Sequence, residues 1–179
     1  MSRQRLLQQL AAHAPSTEEE AAMRTRLAEF VTDHEDCFDR ALTVGHVTGS
    51  AWIVDRERTH VLLTHHRKLD KWLQLGGHAD GDADVLRVAM REACEESGLQ
   101  TLSPVSESIF DVDIHAIPAR NSEPEHFHYD VRYALEADRT EGIVLSDESH
   151  ELRWVPVEEV RMLTEEESVL RMVRKTRLL

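Results

Sequence analysis

Residues 77–99 read GHADGDADVLRVAMREACEESGL, and the second half of this stretch sets carboxylates at Glu92, Glu95 and Glu96 before closing on Gly98. At about 100° per residue on an α-helix, Glu95 and Glu96 fall to either side of Glu92, so all three share one narrow face. Like charges at i,i+3 and i,i+4 repel by roughly a few tenths of a kcal/mol each, and carboxylates in a last turn oppose the negative end of the helix dipole. A hard divalent cation held by oxygens is the natural complement to such a face. Glu-rich faces are also commonly just solvated, so the charge pattern by itself leaves both readings open and the neighbouring residues decide.

Those neighbours are specific. Arg91-Glu92-Ala93-Cys94-Glu95-Glu96-Ser97-Gly98-Leu99 matches the second half of the Nudix hydrolase signature, Arg-Glu-apolar-any-Glu-Glu-any-Gly-apolar, and Gly77 stands at the right distance upstream for its opening glycine. The chain therefore resembles the Nudix hydrolases from about Gly45 to Val160. The resemblance implies an α/β fold, the Nudix-type α/β/α sandwich with a mixed β-sheet. It also implies metal-dependent hydrolysis of the diphosphate linkage of a nucleoside diphosphate joined to a further group, with Mg²⁺ or Mn²⁺ as the ion and room for more than one. By the same resemblance Glu95, Glu96 and the Gly77 carbonyl are metal ligands, Glu92 ligates metal or orients the attacking water, and Arg91 positions these carboxylates. Many family members recruit a further acid from outside the signature. The segment SDESHELRW, residues 146–154, offers Glu148 first for that catalytic role and Glu151 in reserve.

One position departs from the pattern. The family carries a glutamate six residues after the opening glycine, and here that place is Ala83, flanked by Asp82 and Asp84. Asp84 lies two helical turns before Arg91 and is the expected substitute partner if the helix already includes it. Ala83 also keeps alive an alternative function, a catalytically weak or inactive Nudix-like module that senses a nucleotide. Intact Glu92, Glu95 and Glu96 weigh against that alternative, because a degenerate module is expected to lose such costly paired charges first. An isoprenoid diphosphate isomerase of related fold needs a cysteine in the cleft, and Cys94 points away from it if Ala89 and Ala93 face the core.

Composition sets outer bounds. The 179 residues are 41% hydrophobic and 31% charged, which is the make-up of one globular domain with a small appendage. No apolar run approaches the roughly 20 residues that span a bilayer, and the first residues, MSRQRLLQQLAAHA, lack a long apolar signal core, so no membrane partner and a cytoplasmic location are expected. A net charge of −13 argues against nucleic acid as a partner and disfavours a polyphosphate substrate unless cations accompany it. Cys37 and Cys94 are too few and too ordinarily placed for a disulfide framework or a zinc motif. The expected partner is a small-molecule nucleoside diphosphate derivative, and a homodimer, frequent in the family, stays open.

Two helical patterns fill residues 1–42 as an N-terminal helical extension ahead of the Nudix-type domain, residues 43–179. The second has a capping box at Ser16/Glu19 or Thr17/Glu20 and an apolar stripe of Met23, Leu27, Phe30 and Val31. Strands are expected at 46–55, 59–65, 106–117, 125–135 and 151–157. A last helix is expected to open on a capping box at Thr164-Glu165-Glu166-Glu167. Its bases Arg171, Arg174, Lys175 and Arg177 then complement the helix dipole. In residues 126–133, HFHYDVRY, strand alternation gathers His126, His128, Asp130 and Arg132 on one face, and Asp111, Asp113 and His115 alternate likewise. If the two strands pair through the connection at 118–124, these polar faces form one surface. His126, His128 and Arg132 are then expected to contact substrate, with plain solvent exposure and a transition-metal site as the alternatives. His78, beside Gly77, is expected at the phosphates.

Overall fold

Gly45–Asp55, GHVTGSAWIVD, sets Val47, Ala51 and Ile53 on one strand parity and Trp52 and Val54 on the other, so both faces of a strand made from it carry apolar groups to bury. It forms β1, the central strand, with all 11 residues buried. In the computed structural model, which describes residues 3–119 and 124–179, α1 (Arg3–Ala12) and α2 (Glu18–Asp33) precede it. After it come β2 (His60–His66), β3 (Lys71–Leu73), β4 (Leu75–His78), α3 (Val85–Ser97), β5 (Ser103–Pro104), β6 (Asp111–Ile117), β7 (His126–Ala137), β8 (Ser149–Pro156), a 3-10 turn (Val157–Met162) and α4 (Glu167–Thr176).

One edge of β1 runs parallel to β7 over its whole length, and the other edge is shared antiparallel between β4 and β2. β7 carries β6 and β5 on its far side, while β2 carries β3 and β8, which completes a mixed sheet. The period of two along β1 sorts its side chains into two cores. Val47, Ala51 and Ile53 join Val85, Val88, Ala89 and Ala93 of α3 and Leu27 and Val31 of α2. Trp52 and Val54 join Val160, Val169 and Met172 on the other face. Helices thus cover both faces, giving the expected α/β/α sandwich with helices at its N-terminal end. Leu6, Leu10, Met23, Leu27, Phe30 and Val31 belong to the first core, so residues 1–42 share that core with the rest of the chain. Among the described residues no helix is long and apolar enough to cross a membrane.

Local chemistry explains the helix boundaries. Thr17 caps α2 by accepting from the Glu20 amide at 3.1 Å, and the Glu20 carboxylate turns back to the Ser16 amide at 2.6 Å. Asp84 caps α3, and Gly98 ends it in the left-handed region at φ 72°, its amide donating to the Cys94 carbonyl. The last helix differs from expectation. Thr164 accepts from the Glu166 amide at 3.2 Å but caps only a turn, and α4 starts at Glu167 with no side-chain cap. Strand β6 begins at Asp111, later than the expected 106, and part of the 118–124 connection lies outside the described residues.

Candidate functional site

The carboxylate face forms because α3 is anchored on its other side. Val85, Val88, Ala89 and Ala93 lie against β1, which leaves Glu92, Glu95 and Glu96 on the flank facing β4. Gly49 of β1 lets the helix approach closely, since a Cβ there would stand 2.9 Å from the Val85 carbonyl oxygen. Gly77 of β4 does the same for the acids: an added Cβ would meet Glu92 Oε2 at 2.4 Å. Next to it the Gly76 amide donates to Glu96 Oε2 at 3.2 Å. Arg91 lies 2.9 Å from Glu92 and 3.8 Å from Glu95, and its guanidinium donates to the His78 carbonyl at 2.8 Å. The signature arginine therefore ties the acidic face to the glycine-bearing strand.

Burial and crowding both work against charge on these acids. Glu96 is 9% exposed, and desolvation, with Glu92, Glu148 and Glu95 nearby, pushes its carboxyl up to about 8. Burial likewise raises Glu92, against the opposing pull of Arg91, with Glu95, Glu148 and Asp80 adding to the rise. Glu148 thus faces the signature acids from the loop before β8. That loop is pinned by the LLTHHRK segment: the Arg67 amide donates to the Glu148 carbonyl at 2.8 Å, the Arg67 guanidinium donates to the Ser149 carbonyl at 3.0 Å, and Thr64 shares a hydroxyl hydrogen bond with Ser149. Glu151, the reserve, is instead paired with Arg153 at 2.7 Å on an exposed strand face. Asp80, held by Arg40 and near Glu92, and Arg67, which pins the Glu148 loop, were not singled out from sequence, since nothing local marks a turn aspartate as lying near these acids or a post-strand arginine as holding a distant loop.

The departure at Ala83 is filled by packing. Ala83 lies against the apolar core, and Asp84 is occupied as the α3 cap, so the expected Asp84–Arg91 partnership is corrected: Arg91 is engaged by Glu92, Glu95 and the His78 carbonyl. Cys94 sits outside the buried Ala89 and Ala93 stripe, as its helical position requires.

β6 and β7 pair in the register Asp111↔Arg132, Asp113↔Asp130 and His115↔His128, so their polar faces do merge. The merged face then divides in two. At one end Arg132 is 2% exposed, its guanidinium shared among Asp130 at 2.7 Å, Asp111 at 3.3 Å and Asp113 at 3.3 Å. With its donors so engaged under α4, Arg132 is a buried ion-pair residue, which corrects its expected contact with substrate. Arg171 and Lys175 join the same network, each reaching Asp111, and Lys175 continues to Glu20 of α2 at 2.6 Å. Their expected role as dipole-complementing surface bases is corrected with it. At the other end His126 and His128 meet His46 and His78, with ring centroids 4.9 to 5.3 Å apart. His78 therefore offers its carbonyl to Arg91 and its ring to this cluster.

The NUDIX domain family model matches residues 45–175. Among solved structures, a NUDIX-family hydrolase from Clostridium perfringens is 25% identical at a TM-score of 0.51, covering 74% of this chain and 97% of that one. The E. coli dihydroneopterin triphosphate pyrophosphohydrolase is 17% identical at 0.55, covering 74% and 96%. The NUDIX domain of Shewanella oneidensis NrtR, solved with ADP ribose, is 15% identical at 0.54, covering 84% and 96%. Among curated protein sequences no relative is close enough to match. Since the family model spans most of the chain and takes in both β4 and the acidic face of α3, the chain belongs to the NUDIX family of hydrolases, which act on nucleoside diphosphate derivatives.

Proposed function

We propose that this chain hydrolyses the diphosphate linkage of a nucleoside diphosphate derivative, releasing a nucleoside monophosphate and a phosphorylated remainder. The observation that carries the reading is the convergence of Glu92, Glu95, Glu96 and Glu148 beside Gly77, where burial and mutual repulsion raise Glu92 and Glu96 together. Such an arrangement fits Mg²⁺ or Mn²⁺, with Glu92, Glu95, Glu96 and the Gly77 carbonyl as the oxygen donors. When bound, such ions neutralise phosphate charge and make a water more acidic.

The chain's own residues supply the rest. Glu92, confined between Gly77 and Arg91, orients the attacking water and takes its proton on a carboxylate oxygen as the water oxygen bonds to phosphorus and the anhydride P–O bond breaks. Glu148 approaches from a loop fixed by Arg67 and shares this orienting role. Arg91 keeps Glu92 and Glu95 in register with the His78 carbonyl.

Release of nucleoside monophosphate from a panel of nucleoside diphosphate compounds, with and without Mg²⁺, tests the reading. Native protein is expected to turn over at least one compound only with metal, and Glu95→Gln to lose about 10²-fold or more, the scale of removing a major electrostatic element. Because Glu95 has the most exposed side chain of the three, at 60%, its replacement leaves the core untouched. Metal-dependent binding without turnover by the native protein would overturn the hydrolase reading in favour of nucleotide sensing.

A further inference from the structure

We propose that His46, His78 and His128 form a second metal site, suited to a borderline transition metal such as Zn²⁺ and chemically separate from the carboxylate cluster. One ring nitrogen from each lies within 4.8 Å of those of the other two. The three side chains come from β1, β4 and β7, adjacent strands whose hydrogen-bond ladders fix the backbone beneath them. His46 pairs directly with His128 across the parallel ladder, and His78 stands opposite Thr48, two residues along β1. A site built on three strands of a continuous sheet is preorganised in the way that metal ligation requires.

The second observation is polar and independent of the spacing. His46 is 3% exposed, and apart from a weak contact with the Leu42 carbonyl its ring nitrogens make no hydrogen bond, while Nε2 of His128 is buried without a partner. Buried nitrogens without a partner cost roughly 1–3 kcal/mol each, and native proteins rarely keep several together without a ligand to satisfy them. Two more histidines border the three. His126 engages the Pro124 carbonyl through Nδ1 at 2.9 Å, and His115 engages Asp113 through Nδ1 at 3.3 Å. Both rings border His128, at centroid distances of 5.3 and 5.4 Å, outside the three-histidine group, so the fourth position on the metal is left for water.

Ligand chemistry separates the two sites. Imidazoles suit zinc, copper or nickel, whereas the carboxylates and the Gly77 carbonyl suit Mg²⁺ or Mn²⁺. Their positions separate them too. Gly77 faces Glu92 of α3, and strand alternation turns the next residue, His78, to the opposite face of the sheet. A tetrahedral zinc with bonds of about 2.0–2.1 Å holds its nitrogens about 3.4 Å apart, a contraction within reach of small ring rotations.

Zinc alone is the probe. Equilibrium dialysis of the full chain with Zn²⁺ in millimolar Mg²⁺, followed by elemental analysis, is expected to give stoichiometric zinc. His128→Ala is expected to lower the zinc affinity by about 100-fold or more, at least the loss seen when an outer contact is removed. A variant with Glu92, Glu95 and Glu96 all changed to glutamine is expected to keep it. Absence of zinc from the native protein, or zinc lost with the glutamates and kept without His128, overturns the proposal. Native protein loaded with Co²⁺ reads the site without any substitution. Intense visible bands of a low-coordinate nitrogen site are expected, and the weak spectrum of octahedral oxygen ligation would overturn it.

Discussion

Gly77 carries a constraint that its backbone does not impose. It lies outside the left-handed region, so alanine fits its conformation, but an alanine Cβ would stand 2.4 Å from Oε2 and 2.6 Å from Cδ of Glu92. Those atoms end a flexible side chain, which can swing away at little cost to the fold. Gly77→Ala is therefore expected to leave the melting temperature nearly unchanged while lowering kcat/KM by about 10²-fold, the effect of misplacing a reacting group by about 1 Å. Thermal melts beside steady-state hydrolysis check this, and a variant with native activity would show that Glu92 need not sit against position 77. Glu92, Glu95 and Glu96 were legible because helical spacing alone puts them on one face, and Gly77 because the signature fixes its distance from them. His46 was not legible as part of a cluster. Its alternation on β1 is ordinary, and only the parallel pairing with β7 brings His128 beside it.

At the scale of elements, α4 shows how a local pattern misleads. Arg171 and Lys175 are spaced i,i+4 near a helix C-terminus, where bases are favourable on any exposed helix. Their partners lie far off in sequence, Asp111 and Glu20, which no local window contains. Lys175 joins α4 to β6 and α2 at once, since its ammonium reaches Asp111 at 3.0 Å and Glu20 at 2.6 Å. Lys175→Met keeps the side-chain length but strands buried carboxylates with one cation fewer. It is expected to cost about 3 kcal/mol, the lower part of the range for breaking a buried ion pair from one side. Urea unfolding at neutral pH measures that cost. A change under about 1 kcal/mol would place the pair among those whose desolvation cancels their attraction.

Across the whole molecule, the sandwich was legible because strands and helices interleave along the chain in the order that the resemblance implies. The division of the β6–β7 face into an ionic half and a histidine half was not, since alternation says which side chains share a face but not what lies over them. The ionic half links α2, the sheet and α4, and it makes global stability depend on acid. Burial opposes charge on Glu20, yet hydrogen bonds from His13, Lys175 and the Ser16 amide outweigh it and hold the carboxyl far below its ordinary value of 4.5. Asp113 is held far below 3.8 in the same way, with His115, Arg132 and Arg171 overcoming its burial. For acids depressed in the folded state, the unfolded chain binds protons first as pH falls, so their stabilisation is present above about 4.5 and drains away beneath it. Glu96 acts oppositely: raised to about 8, it lowers the stability of the metal-free protein as pH climbs from 4.5 toward 8, and below 4.5 it is protonated in both states and drops out. His46 and His128, held below the usual histidine range by burial, also cost stability as pH falls from 6.5. The acid limb therefore sums these groups with Glu20 and Asp113, and a comparison with a Glu20 variant isolates the Glu20 share. Urea midpoints of metal-free protein are expected to fall steeply below about pH 4.5. Glu20→Gln, less stable at neutral pH, is expected to fall less steeply there because one depressed acid no longer titrates. Equal acid slopes for the native protein and Glu20→Gln would show that Glu20 does not carry the coupling between the layers.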